Sequence, residues 1–355
     1  MPVPDAPRVA SATARWALPD LARGFAIVAM LIAHAQVLIP ERPEFVSEIF
    51  ARLNDVASPL FGLVMGMSAA IMLRSNSEPA WRVVWHNVLR GGVLIGLGVW
   101  LETWGSWVAI VLAILGCLLV VGTPVLLLGG RAVAAIAVVV FVAAPVVNDA
   151  VQRAIDWPGG YHADIANSPN PGELLVRWFI ADPHYRVTSL LPFFLAGALL
   201  AWSGTARRPD PSWSLAAVCV GGGLELVATW WRAALGDVVE SGSLPDAVHD
   251  AALVTLALGV CGLLVAWRPA EPVLRPLREL GTVALSLYVL QIAIIAWLNR
   301  DELRPVLEND WSGWWLIVLG VAVAGWAWAH WVGRGPVEWL TGIVSGRYRR
   351  SRETR

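Results

Sequence analysis

Lysine is absent from this 355-residue chain; all 26 basic residues are Arg. Charge of either sign is scarce. Charged residues make up 15% and hydrophobic ones 57%, against about 25% and about 45–50% in soluble domains. That balance excludes a soluble enzyme, a nucleic-acid binder and a disordered chain. The formal net charge of −1 offers no basic field for a polyanion, so no nucleic-acid partner is expected. Cysteine is nearly missing as well. Cys117, Cys219 and Cys261 each sit in an apolar run and none has CxxC spacing, which argues against a zinc site or a disulfide framework. The chain has no GxxxxGK[ST] loop, GxSxG elbow or HExxH pair, so nucleotide-driven transport loses its machinery. No metal and no permanently bound cofactor is expected.

What is abundant is tryptophan and long apolar runs. Many of the 21 Trp fall at run ends, among them Trp104, Trp107, Trp202, Trp213, Trp230, Trp231, Trp311, Trp314 and Trp315. Indole favours the headgroup level, so the pattern reads as aromatic belts at a bilayer. A spanning helix needs about 20 mostly apolar residues. Ten candidates meet or approach that: Leu21–Ile39, Asp55–Leu73, Val88–Trp104, Ser106–Leu128, Ala132–Val147, Thr188–Trp202, Trp213–Trp231, Ala251–Trp267, Leu280–Leu298 and Trp311–Trp331. The fifth and sixth are short. The expected fold class is an all-α integral membrane protein of about ten transmembrane helices, one polytopic domain over residues 1–355. The first run lacks a small-residue cleavage pattern and carries Arg23 and His34, so it reads as retained and not as a signal peptide.

Charge asymmetry orients the spans. The two termini and the loops on their side hold 16 Arg and 8 acids; the opposite loops hold 8 Arg and 18 acids. Arg excess marks the cytoplasmic side, which places both termini there. Residues 333–355 form a basic tail suited to anionic lipid. The longest connection, 148–187, then lies outside, with turn-rich WPGGYH and NSPNPG inside it.

Ionisable groups within spans are costly and are functional candidates by default. In the first run, PDLARGFAIVAMLIAHAQ, Asp20 and Arg23 are three apart and can pair on one helix face. Arg23 and His34 are eleven apart, three turns plus about 20°, so they share a face with Cα atoms about 16 Å apart along the axis. A cation at the inner mouth can hold phosphate, and an imidazole deeper in can act as a base or accept an acyl group. A snorkelling Arg with a helix-bonded His is the other reading. In NDVASPLFGLVMGMSAAIML, Asp55 can orient His34 across a cavity or cap its own helix, Pro59 can bend the span, and Gly66 and Ser68 allow close helix contact.

Further candidates are more scattered. Arg90 and His86 sit at the inner end of the third run, either as a phosphate site or as ordinary flanking charge. Glu225 lies mid-span and needs a cavity or a partner. Asp182 to Arg186, DPHYR, brings His184 and Arg186 to an outer helix start, where they contact an acceptor or cap the helix. Tyr288 and Gln291 line the interior or bond helix to helix. His162, His249 and His330 fit no ligand spacing, and His330 reads as structural.

PDLARGFAIVAMLIAH resembles the LDxxRGxAI opening shared by three membrane-protein families: acyltransferase-3, heparan-α-glucosaminide N-acetyltransferase and domain-of-unknown-function-418. Pro19 stands where Leu is usual. Arg23-x10-His34 is similar to the Arg–His motif of acyltransferase-3. Asp55 through Pro59 to Met65–Gly66 resembles the D-x3-P-x5-MG pattern of the glucosaminide acetyltransferases. ELGTVALSLYVLQ and GRGPVEWL resemble GRMALTNYLLQ and GPLEWLWR of the family of unknown function, the closest of the three. The glucosaminide enzymes carry Asn where this chain has His34, and their acyl-accepting His lies further along an outer loop. Here that loop, PERPEFVSEIF, has no His.

The resemblance implies a transmembrane acyltransferase. Cytoplasmic acyl-CoA, a substrate and not a resident cofactor, would be held by Arg23, Arg90 and Asp20. His34 would be the base, oriented by Asp55, and transfer would be direct. Glu225, His184, Arg186, Tyr288 and Gln291 would line the site of an envelope glycan or lipid-linked acceptor. The expected partners are thus the lipid bilayer, acyl-CoA and that acceptor, with a homodimer left open. Arg-only usage with many Ala and Gly fits a high-GC bacterial source, and the location implied is the cytoplasmic membrane. A proton-coupled small-molecule or lipid transporter without acyl chemistry is the alternative, and a non-catalytic envelope partner is a third.

Overall fold

The computed structural model describes residues 16–75, 79–154, 171–236, 241–300 and 311–345, and among these there is no strand. The helices are α1 (Ala17–Ala35), α2 (Glu44–Ser75), α3 (Ala80–Glu102), α4 (Leu112–Val125), α5 (Gly130–Ala154), α6 (Pro171–Val176), α7 (Val187–Ser203), α8 (Pro211–Leu235), α9 (Leu244–Ala266), α10 (Glu271–Thr282), α11 (Ala284–Leu298), α12 (Trp311–Trp331, with one π turn) and α13 (Pro336–Val344). Local chemistry sets several ends. Asp210 caps α8 by accepting from the Ser212 backbone N–H at 3.1 Å, with Pro211 at the first helical position.

Each expected apolar run is helical over most of its length, the fourth only from Leu112, and the chain is a multi-pass membrane protein. Among the described residues, seven helices are long and apolar enough to cross a bilayer. The ninth run is broken: α10 and α11 meet at 72°, so the pair makes at most one further span. The fourth and sixth runs fall short, at Leu112–Leu128 and Val187–Ser203. The fifth, expected to be short, runs on through its polar end to Ala154. The 148–187 connection is accordingly helical at both described ends, through Ala154 and over Pro171–Ala181. His162, WPGGYH, most of NSPNPG and the tail beyond residue 345 lie outside the described residues.

Two elements occupy the middle. α1 buries Leu21, Ala22, Ala26, Ile27 and Leu31 completely, and α2 buries Leu60 and Met67. α1 packs on α2 and α10, α2 packs on α7, and the pairs α3–α4 and α8–α9 flank them. α5 and α8 carry rows of exposed apolar residues, including Val138, Val142, Val146, Val220 and Leu226. Such faces suit lipid. Trp81, Trp85, Trp230, Trp267 and Trp331 are exposed as belt residues should be. Two expected belt residues are structural instead. Trp314 is buried and stacks on Phe50 at 6.1 Å, and Trp107 donates its indole N–H to the His34 carbonyl at 3.0 Å.

Candidate functional site

The residues picked from the sequence gather at three places, each of which joins the first half of the chain to the second.

The first is the α10–α11 break. A helix end leaves its last carbonyls and the next helix's first N–H groups unpaired. Arg23 meets the carbonyl side: Nη1 donates to Gly281 O at 3.3 Å and to Asp20 Oδ1 at 3.4 Å, and Nη2 donates to Ser68 Oγ at 3.0 Å. The expected Asp20–Arg23 pair therefore forms. Glu338 meets the other side, accepting from the backbone N–H groups of Leu285 at 2.7 Å and Ser286 at 3.2 Å and from the Ser286 hydroxyl. Backbone approach there is very close. A Cβ on Gly24 would run into the Leu277 carbonyl, and one on Gly281 into that of Asp20. The Arg-Gly of the opening and the Glu of the closing GPVEWL thus build one joint. Gly66 packs against the Phe194 carbonyl as expected of a small residue. Arg90 is half-buried on α3, and His86 Nδ1 pairs with Ser345 O, tying α3 to the end of α13.

The second place surrounds His34, which is 9% exposed. Its Nδ1 lies 2.8 Å from Gln291 Nε2 on α11, and Tyr288 is buried one turn earlier. The amide's orientation sets the tautomer. With the amide N–H donating to Nδ1, the neutral ring carries its proton on Nε2. Turned by half a rotation, the amide oxygen accepts from Nδ1–H and leaves an Nε2 lone pair, the form a base requires. The Gln291 amide oxygen is buried without a hydrogen-bond partner as found.

The third place centres on Asp55, and here two expectations change. α2 begins at Glu44, so Asp55 lies eleven residues inside the helix and cannot cap it. Nor does it orient His34. Its Oδ2 lies 3.2 Å from His249 Nε2. The other ring nitrogen of His249 faces Glu225 Oε2 at 2.7 Å, and Glu225 Oε1 accepts from Arg52 Nε at 3.1 Å. Nε2 is hydrogen-bonded to Asp55, whereas the approach of Nδ1 to Glu225 is a close ion-pair contact without hydrogen-bond geometry. The result is a row of alternating basic and acidic side chains, Arg52–Glu225–His249–Asp55. It supplies the partner that a lone mid-span Glu225 demands. The sequence reading missed Arg52 and His249. A pairing across 194 positions has no spacing signature, although a mid-span Glu by itself called for a cation on a neighbouring helix.

Beside this chain opens a cavity of about 230 Å³ lined by Asp55, His184, Tyr185, Arg186, Arg232 and Asp250 among others. His184 and Arg186 thus join Asp55, as expected of one binding site, while His34, Tyr288 and Gln291 lie elsewhere. DPHYR is held by Asp182, whose carboxylate accepts from the His184 and Tyr185 backbone N–H groups at 2.9 and 3.0 Å and from Arg177 Nε at 3.2 Å. Arg186 is buried and donates to Ser241 O at 2.9 Å. Burial pushes the Tyr185 phenol above its ordinary value of 10.0, and the charges of Asp55, Asp182 and Asp250 add to the rise.

Two family models match the chain. Residues 15–169 match the catalytic domain of heparan-α-glucosaminide N-acetyltransferase, and residues 200–344 match a protein family of unknown function, domain-of-unknown-function-418. These matches bear out two of the relationships read from the opening and closing motifs. No curated protein matches the chain. All three clusters join residues of one matched stretch to residues of the other: Arg23 to Gly281, His34 to Gln291, Asp55 to His249.

Proposed function

We propose that the protein is a membrane acyltransferase that takes an acyl group from acyl-CoA on the cytoplasmic side of a bacterial cytoplasmic membrane and passes it to an envelope glycan or lipid acceptor. The observation that carries this reading is the match of residues 15–169 to an acetyltransferase catalytic domain, a stretch that includes Arg23, His34 and Asp55. Arg23, bonded to Asp20, Ser68 and Gly281 among others, keeps 27% side-chain exposure and is the cation we assign to donor phosphates at its end, with Arg90 as a second. Asp55 lies thirteen residues, about 20 Å, along α2 from Ser68, which Arg23 contacts. The Arg23 end and the cavity at Asp55 therefore lie at different depths of one bundle. His34 is the base, with Gln291 in place of Asp55 as the group that positions its ring. The acceptor hydroxyl or amine attacks the thioester carbonyl. A C–O or C–N bond forms as the C–S bond breaks, the acceptor proton passes through His34, and CoA leaves as the thiol. A positioned base contributes roughly 10²–10⁴-fold in rate.

The test is acyl-CoA binding and thiol release by protein in nanodiscs, for wild type, Arg23→Ala, His34→Ala and Gln291→Ala. The reading requires weaker binding in Arg23→Ala, and binding without turnover in His34→Ala. Gln291→Ala should lower kcat at unchanged KM for acyl-CoA. Absence of binding by wild type at micromolar concentrations overturns it.

One observation favours a second reading, a proton-coupled carrier: the alternating chain from Arg52 to Asp55 beside a polar cavity. A carrier would move solute under a proton gradient without acyl-CoA. A transferase would release thiol without a gradient.

A further inference from the structure

The polar cavity at Asp55 has an apolar neighbour. Phe141, Pro192 and Phe193 line it and also line a second, larger cavity of about 710 Å³. The second cavity runs between α5, α7, α8 and α9, and its walls are almost wholly apolar: Leu63, Val138, Leu199, Trp213, Val254 and Leu258 among them. α5 packs on α7 and α8 packs on α9, which leaves the cleft between α5 and α8. Val138 on its wall is 64% exposed, on a helix whose outward face is apolar. A polar chamber thus adjoins an apolar one that opens sideways, between helices suited to lipid.

We infer that the two cavities form one site for a glycolipid, with a hydroxyl- or amine-bearing head in the polar chamber and its hydrocarbon chain in the apolar one. The charges select the head. Asp55, Asp246 and Asp250 present acceptor oxygens, and Arg186 and Arg232 present donors, on the walls of one small chamber. Sugar hydroxyls donate and accept, and amines donate, so such heads satisfy both sets. A phosphate or carboxylate head would face Asp246 and Asp250 beside the His249-paired Asp55, against two guanidinium groups of which Arg186 already donates to Ser241 O. The apolar chamber fixes the other half. An apolar wall gives a free sugar nothing to bind, whereas a hydrocarbon chain gains about 0.8 kcal/mol per buried CH₂ when it leaves water. The inference goes beyond the transferase reading and does not rest on it, since His34 lines neither cavity.

The experiment uses the full chain in phosphatidylcholine nanodiscs, with radiolabelled dodecyl glucoside as the probe. Dodecyl phosphate, dodecanol and free glucose are the competitors, and acyl-CoA binding is measured on the same samples. Dodecyl glucoside should bind at least tenfold more tightly than dodecyl phosphate, and glucose should not compete. Asp250→Asn should weaken the glucoside severalfold and leave dodecanol unchanged. Ala196→Phe and Val138→Trp, each adding bulk to the tail wall, should weaken both. Val138→Trp guards against a folding defect, because its side chain starts exposed. Equal binding of phosphate and glucoside, or indifference to both tail-wall variants, would mean that ordinary bilayer lipid fills the cleft and would overturn the inference. Glucoside binding by a protein that binds no acyl-CoA would leave the site standing and remove the transferase reading. The reverse result would do the opposite.

Discussion

Removing the imidazole of His249 tests the charge chain directly. His249 and Glu225 have side chains only 5% and 12% exposed, and the contact between them is 2.7 Å. His249→Ala deletes a hydrogen bond to Asp55 and a close ion-pair contact with Glu225 at once. Glu225 keeps Arg52 at 3.1 Å, but Asp55 keeps only the Asn54 amide at 3.2 Å. Breaking a buried pair by deleting one partner costs about 3–5 kcal/mol in soluble proteins. Interhelical hydrogen bonds in membranes average about 0.6 and reach about 1.7 kcal/mol in double-mutant cycles. The two values bracket different quantities, namely the whole deletion and the coupling alone. A cycle of His249→Ala, Glu225→Gln and the double variant separates them. The single His249 change should cost about 3 kcal/mol, and the coupling should reach about 1–2 kcal/mol, because each single variant leaves one member of the 2.7 Å contact facing a lost partner and the double leaves neither. The assay is unfolding of nanodisc-embedded protein by steric trapping, which reports a free energy at constant temperature. Additivity within about 0.5 kcal/mol would refute the reasoning, since it would mean that the two groups do not sense each other.

Three other outcomes follow from the geometry. Glu338→Ala removes the acceptor for two backbone N–H groups at the start of α11 and should cost about 1–2 kcal/mol, seen as a lower midpoint in fluorescence-detected size exclusion after heating; Glu338→Asp should recover part of it. Gly24→Ala forces apart the α1–α10 backbones and should cost about 1–3 kcal/mol, whereas Gly96→Ala, with open space around it on α3, should be neutral or stabilising by up to about 1 kcal/mol. The Tyr185 phenol is raised above 10.0 in the folded protein, so it holds its proton after the unfolded chain has released its own. Its contribution to stability is complete below pH 10 and is lost as pH climbs from there towards the folded value. Absorbance at 295 nm, read as wild type minus Tyr185→Phe, should show less than half of this phenol ionised at pH 10, and half or more would contradict the upward shift.

Much of the site was present in local sequence, but its connections were not. The Asp20–Arg23 pair follows from helical spacing, and Gly66 and Ser68 behave as small residues in a close contact. The position of Arg23 at a broken helix did not follow, because its partner Gly281 becomes an orphan carbonyl only once α10 and α11 part at 72°. Asp55 was recognised and wrongly paired. Its helix starts at Glu44, inside a polar stretch, EFVSEIFARLN, that hydropathy alone reads as loop. His249 was passed over because its two ligands come from other helices.

The sequence by itself determined that the chain is a helical membrane protein. Twenty-residue apolar runs leave the backbone no other way to satisfy its hydrogen bonds in hydrocarbon. It also determined the set of polar residues to examine, because each one within a run carries a desolvation cost that needs a reason. Only the tertiary structure decided which of those residues meet. Pairings such as Asp55 with His249, His34 with Gln291 and Arg23 with Gly281 depend on helix order, rotation and depth. Those are set by packing over the whole bundle, which no local pattern encodes.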